Sequence, residues 1–369
     1  MNLEMSSSKV KSHIHSLDGL RGVAALVVVA HHLLLTLPWF ADRVGLGQLS
    51  AKGQFTFSWH NFFEYTPLHI LYGGTEAVVV FFVLSGFVLI NPVNKLSLFS
   101  YTRNRLVRLY APIIAAVILA GVLVKGIPHQ KMDGASWWLN SHAIPFTFGS
   151  LFRNMWVLDG NDWLNSSLWS MRYEVVFSLC VMVFAGFVFK KSTPQFFRAI
   201  VVVVATIWVG MYFGLDLLSW LPVFFAGSAL HWLEAGKFMK GGLKALLGWF
   251  IMFVPWYCAG FGYSLNASIS RICMTLGAVL IVDACRDQGN VLSKVLSTRP
   301  FRAAGKYSYS LYLVHAPILT SVWFAMGVSE SHIGWLLRAG ISILFIGLGT
   351  ALIYTLAEKP SLKWIHLRS

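Results

Sequence analysis

Ten apolar segments of bilayer-spanning length constrain the fold of this chain more than any other feature. The 369-residue sequence is 56% hydrophobic and 12% charged, about half the charged fraction of a soluble domain. Backbone polar groups inside a bilayer must be satisfied internally, so such segments form helices. The chain is therefore predicted to be an all-α, polytopic transmembrane bundle. The predicted spans are 17–38, 69–91, 109–127, 168–189, 198–214, 216–233, 243–261, 268–285, 307–327 and 333–357.

The distribution of lysine and arginine predicts how this bundle is oriented. With the N-terminus placed in the cytoplasm, 21 of the 29 basic residues fall in inner segments, seven in outer segments and Arg172 within a span. Positive residues favour the cytoplasmic side, so both termini are predicted to be cytoplasmic. The formal charge of +14 is explained by these basic residues, which orient the bundle in the membrane. No nucleic-acid-binding motif is present, so no nucleic-acid partner is expected.

Residues 17–362 are predicted to form one transmembrane domain, between a polar cytoplasmic arm of residues 1–16 and a short tail of residues 363–369. No small-residue cleavage pattern precedes the first span, so the arm is expected to be retained. Without a soluble domain at either end, chemistry is expected within the bundle or at its mouths. The four cysteines form no C-x-x-C pair, and no disulfide framework, metal site or bound cofactor is predicted.

The segment RGVAALVVVAHH places an arginine and two histidines in the first span. Ionisable residues in a membrane span are costly and mark functional sites. Eleven residues separate Arg21 from His32, so both lie on one helix face about 16 Å apart, whereas His31 points about 100° away. Histidine titrates near neutral pH and can accept a proton from a hydroxyl group. For Arg21 the alternative is an inner-end anchor paired with Asp18.

Two further segments carry charges at the ends of spans. In SLWSMRYEVVFS, Glu174 lies inside the fourth span, where it either orients a histidine or forms a structural ion pair with an arginine of another helix. In YTRNRLVRLYAP, Arg105 and Arg108 are three residues apart and share one helix face. Guanidinium groups bind phosphates through paired hydrogen bonds, so these arginines either hold a phosphorylated ligand or anchor the span.

Two other segments provide small and polar residues inside spans. Ser85 precedes Gly86 in FFVLSGFVLI, a pair that favours close helix packing over a serine nucleophile. In GKYSYSLYLVHAPIL, His315 lies at a depth comparable with that of His32. His315, Tyr309 and Ser85, together with Trp169 of SLWSMRYEVVFS, are candidates for lining a site. Structural roles are the alternative.

The outer segment 128–167 concentrates tryptophan with acids and amides. Asp159, Asp162 and Trp163 occur within NMWVLDGNDWLNSSLWS. Tryptophans at such positions usually anchor a span at the membrane interface. A flat ring can also stack on a sugar while nearby carboxylates bind its hydroxyls, so these three residues are candidates for binding an acceptor.

Six motifs resemble, in the right order, those of the acyltransferase-3 family, integral-membrane O-acyltransferases that modify surface polysaccharides, lipo-oligosaccharides and small glycosides. The resemblance implies that Arg21 and His32 form the family's essential Arg-x10-His pair. It implies that Arg105 and Arg108 form the Arg-x-x-Arg element that handles the acyl-CoA donor. The motifs are LDGLRGVAALVVVAHH, FFVLSGF, RNRLVRLYAP, LWSMRYEVVF, YSYSLYLVHAPI and AEKP.

The same resemblance assigns the Trp-Ser-Leu-x-x-Glu motif to Trp169, Ser170 and Glu174, with Met171 in place of Leu, a change that conserves volume. It implies transfer of an acyl group, usually acetyl from acetyl-CoA as donor substrate, to a carbohydrate or glycolipid hydroxyl, as in exopolysaccharide or lipopolysaccharide. His32 would be the general base or become transiently acylated, and Glu174 would orient it. The implied location is a bacterial inner (plasma) membrane.

Some family members carry a C-terminal esterase-like domain. No such domain is recognised in this sequence, so transfer is expected to be completed by the chain alone or by a separate protein. Two other classes stay open on residue patterns. One is a transporter or proton-coupled flippase of a glycolipid or small solute, with a relay through His32, Glu174 and His315. The other is a haem-binding protein with His129 and His142, which are 13 residues apart, as ligands on one helix.

Overall fold

The computed structural model describes residues 13–44, 64–93, 96–159, 164–188, 195–233, 239–329 and 331–366, and every regular element within these ranges is helical. The predicted all-α class is confirmed. The helices are α1 (His15–Leu34), α2 (Pro38–Val44), α3 (Gly74–Val93), α4 (Leu98–Gly126), α5 (Trp137–Ser141), α6 (Phe148–Trp156), α7 (Leu168–Val188), α8 (Gln195–Tyr212), α9 (Asp216–Ala229), α10 (Gly241–Met252), α11 (Val254–Gly260), α12 (Ala267–Arg286), α13 (Val291–Leu296), α14 (Arg299–Met326), α15 (His332–Ile353) and α16 (Lys359–His366), with 3₁₀ segments Pro67–Leu71 and Leu230–Trp232 and a π-helix Tyr354–Glu358.

Five helical segments of the described chain are long and apolar enough to cross a membrane, and α10 with α11 adds a sixth if the bent pair is one span. Shorter apolar helices occur at Gly74–Ile90 and Ile200–Gly210. Each of the ten predicted segments overlaps a helix or the bent pair. A multi-helix membrane protein is therefore supported, whereas the count of ten and the orientation stay predictions. The five are His15–Leu34, Leu98–Gly126, Ala267–Arg286, Arg299–Met326 and His332–Ile365.

Three predicted spans have different shapes from those expected. The span 243–261 is broken by a 45° bend between α10 and α11, because Pro255 in the first turn of α11 has no N–H to continue the hydrogen-bond ladder of α10. The helices that contain 109–127 and 307–327 begin earlier than predicted, in polar sequence. Those additional polar turns carry several of the cations described below.

Helices α1 and α14 cross with their backbones in direct contact. A Cβ atom at Gly305 would lie 2.0 Å from the carbonyl oxygen of Asp18, and one at Gly22 would lie 2.5 Å from the Gly305 nitrogen. Glycine is thus required at both positions, as small residues are wherever membrane helices pack this closely. The contact holds the helix of Arg21 and His32 against the helix that carries His315.

Helices α3 and α9 also cross closely at Gly86, in line with the packing predicted for Ser85-Gly86, whereas Ser85 lines the cavity described below. A Cβ atom at Gly86 would lie 1.9 Å from the carbonyl oxygen of Phe224. The Ser228 hydroxyl donates to the Gly86 carbonyl at 2.9 Å. Phe224 in turn stacks on Phe177 of α7, with ring centroids 4.2 Å apart. This layer fixes α7 beside α3, and so fixes the helix that carries Glu174.

Candidate active site

A cavity of about 700 Å³ lies between α1, α3, α4, α7 and α14. Arg21 of α1 lines it together with Arg105 and Arg108 of α4, so the fold brings the two arginine motifs of the sequence into one space. Basic groups outnumber acidic groups on its wall, which favours an anionic ligand. The other cations are Arg299, Arg302 and Lys306, and the carboxyl groups belong to Asp18, Glu174 and Glu358.

Glu174 forms an ion pair with Arg105 inside the bundle. Its Oε1 accepts hydrogen bonds from Arg105 Nη2 at 2.8 Å and from the Ser85 hydroxyl at 2.6 Å. Arg105 also donates to the Ser178 hydroxyl at 3.0 Å. Both charges are largely buried, and such charges need a partner because their desolvation is costly. The structure thus places Glu174 against Arg105 and not in hydrogen-bond contact with His32.

Arg21 and Arg108 make no ion pair or hydrogen bond with any residue in the described ranges. Arg108 is exposed because it faces the cavity, and Arg21 is partly exposed. Asp18, the alternative partner of Arg21, lies instead 3.5 Å from a ring nitrogen of His13 and 4.0 Å from one of His15. Two guanidinium groups with spare donors in one cavity can hold phosphate oxygens.

The ring of His32 lies beside the ring of His315, a residue 283 positions later in the chain. His32 Nδ1 is 3.2 Å from His315 Nε2 and 2.9 Å from the carbonyl oxygen of Val28. His315 Nδ1 is 2.7 Å from the carbonyl oxygen of Tyr312. His315 is fully buried, whereas His32 is only partly buried. His32, which shares a helix face with Arg21, therefore has a second histidine as its neighbour.

These contacts determine which ring nitrogens carry protons in the neutral pair. A carbonyl oxygen only accepts, so His315 Nδ1–H donates to Tyr312 and His315 Nε2 carries a lone pair. His32 Nδ1–H then donates to Val28 and His315. The lone pair of His32 lies on Nε2, which bonds to no residue that the structure describes. This tautomer is the one that a general base requires.

Tyr312 connects the cavity to the histidine pair. Its side chain lines the cavity, and its hydroxyl is 2.7 Å from the Ser170 hydroxyl. Its carbonyl oxygen accepts the hydrogen bond from His315 described above. Tyr309, also on the cavity wall, donates to the Leu109 carbonyl at 2.9 Å and so joins α14 to α4. Tyr312 on the cavity wall is thus one helical turn from His315.

The residues assigned to the Trp-Ser-Leu-x-x-Glu motif have different positions. Ser170, Met171 and Glu174 line the cavity. Trp169 packs instead against Trp220, with ring centroids 5.8 Å apart, and against Tyr173. Trp169 was predicted to line the site, but it does not line this cavity, because its ring packs against these two aromatic rings.

The outer segment contributes Trp138, whose ring centroid lies 5.3 Å from that of His32 and 4.7 Å from that of His142. Trp138 stands among the tryptophans of this segment, but its pairing with His32 could not be inferred from spacing. Asp159 is exposed after α6. Asp162 and Trp163 lie outside the described residues, so their part in acceptor binding stays a prediction.

His129 and His142 do not share a helix, contrary to the geometry expected of a haem site. His129 precedes α5, and His142 follows the last residue of that helix. His129 Nε2 is 3.1 Å from the Ser321 hydroxyl, and His142 Nδ1 donates to the Trp138 carbonyl at 2.8 Å. Burial lowers the pKa of each histidine to about 4, so both are neutral at physiological pH.

Glu358 is a cavity residue that was not singled out from the sequence. It is buried, and its Oε2 accepts hydrogen bonds from the backbone N–H and the hydroxyl of Ser310. It ends the π-helix Tyr354–Glu358, a local widening that is frequent at functional sites. Its place in the closing AEKP motif is the signal that could have identified it.

Comparison with known families decides the class of the protein. The family described as an acyltransferase domain, acyltransferase-3, matches residues 14–357. The chain belongs to the acyltransferase-3 family. This confirms the resemblance that the six motifs indicated, and it makes the cavity and histidine pair features of an acyltransferase domain.

Two relatives of this acyltransferase-3 member have been named. It is 30% identical to the acyltransferase MdmB of Streptomyces mycarofaciens over 166 residues, which is 44% of this chain and 37% of that protein. It is 21% identical to the peptidoglycan O-acetyltransferase OatA of Listeria monocytogenes in an alignment 402 positions long, gaps included, that covers 96% of this chain and 56% of that protein. The chain thus spans 37% and 56% of the lengths of these relatives. No solved structure is significantly similar to it.

Proposed function

We propose that the protein is a membrane O-acyltransferase that moves an acyl group, acetyl in the simplest case, from acyl-CoA to a hydroxyl group of a carbohydrate or glycolipid. The observation that carries the proposal is a basic cavity whose wall at Tyr312 lies one helical turn from the His315–His32 pair. Family membership supports acyl transfer. The name of the Listeria relative supports an acetyl group and a glycan acceptor.

The donor occupies the basic cavity. Arg21 and Arg108 bind the phosphates of CoA, and the cations near the start of α14 attract the anionic donor to the mouth. With the N-terminus in the cytoplasm, this mouth opens at the inner face of the bacterial plasma membrane, where acyl-CoA is available. The thioester end then reaches past Tyr312 toward His32.

His32 acts as the general base. Its Nε2 takes the proton of the acceptor hydroxyl as the hydroxyl oxygen attacks the thioester carbonyl carbon. The C–O bond of the ester forms, the C–S bond breaks, and the proton on Nε2 passes to the CoA thiolate. General-base assistance of this type contributes about 10²–10⁴ in rate.

His315 and Glu174 position other groups and do not take part in the bond changes. His315 Nε2 accepts the hydrogen bond from His32 Nδ1–H, which holds the tautomer and stabilises the transient imidazolium. Glu174 holds Arg105, and through it fixes α4 so that Arg108 faces the cavity. The orienting role expected of Glu174 is thereby assigned to His315.

The acceptor approaches His32 from the side of Trp138. An indole ring next to the base offers a stacking surface for a sugar ring, and this arrangement supports a carbohydrate acceptor. Asp159, Asp162 and Trp163 of the same outer segment are proposed to extend this surface. The acceptor hydroxyl and the thioester then meet at His32 from opposite sides.

Inverted membrane vesicles test the proposal directly. Vesicles with wild type, His32→Ala or the exposed-histidine control His332→Ala receive acetyl-CoA labelled in the acetyl group, and base-labile label is counted in carbohydrate and lipid-linked fractions. Label is expected with wild type and control and is expected to disappear with His32→Ala at equal protein level. Full labelling with His32→Ala would contradict the assigned base. Solute accumulation without CoA, and no label in any vesicle, would favour a transporter.

A further inference from the structure

Three potential metal ligands converge at the mouth of the cavity, outside the catalytic groups proposed above. They are His13, His15 and Asp18, and all three line the cavity. Their ligand atoms, one per residue, lie within 4.8 Å of one another. His15 is the first residue of α1 and Asp18 is three residues later, so both lie on one helix face, and His13 precedes the helix beside them.

The distances within this group fit one small cation. The His13 and His15 Nδ1 atoms are 3.2 Å apart, and Asp18 Oδ2 lies 3.5 Å from the first and 4.0 Å from the second. Zinc binds nitrogen and carboxylate oxygen at about 2.0–2.2 Å, so two ligand atoms in a tetrahedral site are about 3.4 Å apart. The three observed separations scatter around that value.

Hydrogen bonding accounts for only part of this geometry. The two Nδ1 atoms are 3.2 Å apart, so one ring can donate a proton to the other. The Asp18 oxygen is beyond the usual hydrogen-bond distance of both rings. When both rings carry their proton on Nε2, as a bound cation requires, the group presents three lone-pair donors around one centre.

We propose that His13, His15 and Asp18 form a binding site for a divalent transition-metal ion of the zinc class. Two imidazoles and one carboxylate suit zinc and its neighbours better than calcium or magnesium, which prefer all-oxygen ligands. Three protein ligands leave at least one coordination position for water or an anionic oxygen. A metal here adds positive charge to the cavity that Arg302 and Lys306 also line. The site does not depend on the proposed acyl transfer.

Metal titration of the full chain in detergent tests this site. Protein stripped with EDTA is titrated with Zn²⁺ in competition with a chromophoric chelator, as wild type, His13→Ala/His15→Ala, Asp18→Asn and His332→Ala. Wild type and the control His332→Ala are expected to bind one equivalent more than the double variant. Even an outer-shell change commonly weakens metal binding about 10- to 100-fold, so Asp18→Asn should weaken it at least about tenfold.

Cobalt gives a second measurement that does not depend on stoichiometry. Co²⁺ added to wild type should give visible absorption bands of a low-coordinate protein site, and these bands should be absent from the double variant. Gel filtration and thermal unfolding show whether each variant is folded, and the exposed positions of His13 and His15 favour tolerance of both substitutions. Equal Zn²⁺ uptake and identical Co²⁺ spectra for wild type and double variant would overturn the proposal.

Discussion

The basic cavity and the histidine pair lie next to each other but differ in how their polar groups are satisfied. In the cavity, Arg105 is bound to Glu174, whereas Arg21 and Arg108 keep spare donors. At the histidine pair, His32 and His315 are held by backbone carbonyls and by each other, and no carboxylate of the described residues is in hydrogen-bond contact with them. The cavity is thus suited to binding charge, and the histidine pair to moving a proton.

This difference separates two kinds of mutational effect. Removing a cavity cation should weaken donor binding, and removing His32 should slow the chemical step. If a cavity variant instead lowers kcat, or a His32 variant instead raises KM for acyl-CoA, the two regions are not functionally distinct. The predictions below use this separation.

His32→Ala should have the largest effect. We expect kcat to fall by about 10²–10⁴, because general-base assistance is lost, with KM for acyl-CoA almost unchanged. His315→Gln should reduce kcat less, because Nε2 of His32 remains available. Rates of acyl transfer by purified protein in lipid vesicles measure both. A His32→Ala variant that keeps kcat but raises KM would move His32 into donor binding.

Glu174→Leu should mainly reduce stability. It leaves the Arg105 charge buried without a partner, and breaking such a pair costs about 3–5 kcal/mol. The double variant Glu174→Leu/Arg105→Met should recover much of this loss, because neither charge is then left unpaired. Thermal unfolding in detergent compares the variants. If the double variant is as unstable as the two single effects added together, the pair is not the source of the effect.

Arg108→Gln should weaken donor binding. A hydrogen bond to a charged group contributes about 1.5–3 kcal/mol, so KM for acyl-CoA should rise about 10- to 100-fold with little change in kcat. This rise in KM should be smaller at high salt, because salt screens the attraction between the arginine and the phosphates. Lys294→Gln is the matched control, because Lys294 is exposed and does not line the cavity. A fall in kcat at constant KM would instead place Arg108 in the chemical step.

Local sequence predicts the features that depend on one helix. Bilayer-length apolar segments identify the helices, and the 3.6-residue period separates His32 from His31. His31 indeed lies in another environment, where its Nδ1 is 2.8 Å from the Tyr72 carbonyl. The close packing at Ser85-Gly86 also follows from small residues alone.

Contacts between distant helices could not be predicted in the same way. The partner of His32 is 283 residues away, and the partner of Glu174 is 69 residues away. Each contact depends on where two helices cross, and a single sequence does not specify the height or rotation of such crossings. A charged pair was therefore predicted for Glu174 without its partner, and Glu358 was missed because its acceptor role arises only beside Ser310.

The outer segment should lose stability in acid. Burial lowers the pKa of His129 and His142 to about 4, against about 6.5 in an unfolded chain. Between those values the unfolded state binds protons first, so the stability present above about pH 6.5 is lost as the pH falls toward 4. Thermal unfolding of wild type should therefore shift downward from pH 7 to pH 4.5, and His129→Gln/His142→Gln should shift less.

Carboxyl groups take up protons in the wild type and in the double variant alike. The difference between the two proteins in how steeply thermal stability falls with pH therefore reports on His129 and His142. Equal slopes would mean that these histidines do not govern the acid stability of the segment. His142 donates to the carbonyl of Trp138, whose ring packs against His32. Acid should therefore disturb the surroundings of His32 before those of the cavity. In activity assays at falling pH, kcat should then decrease before KM for acyl-CoA changes, as expected if the two regions act separately.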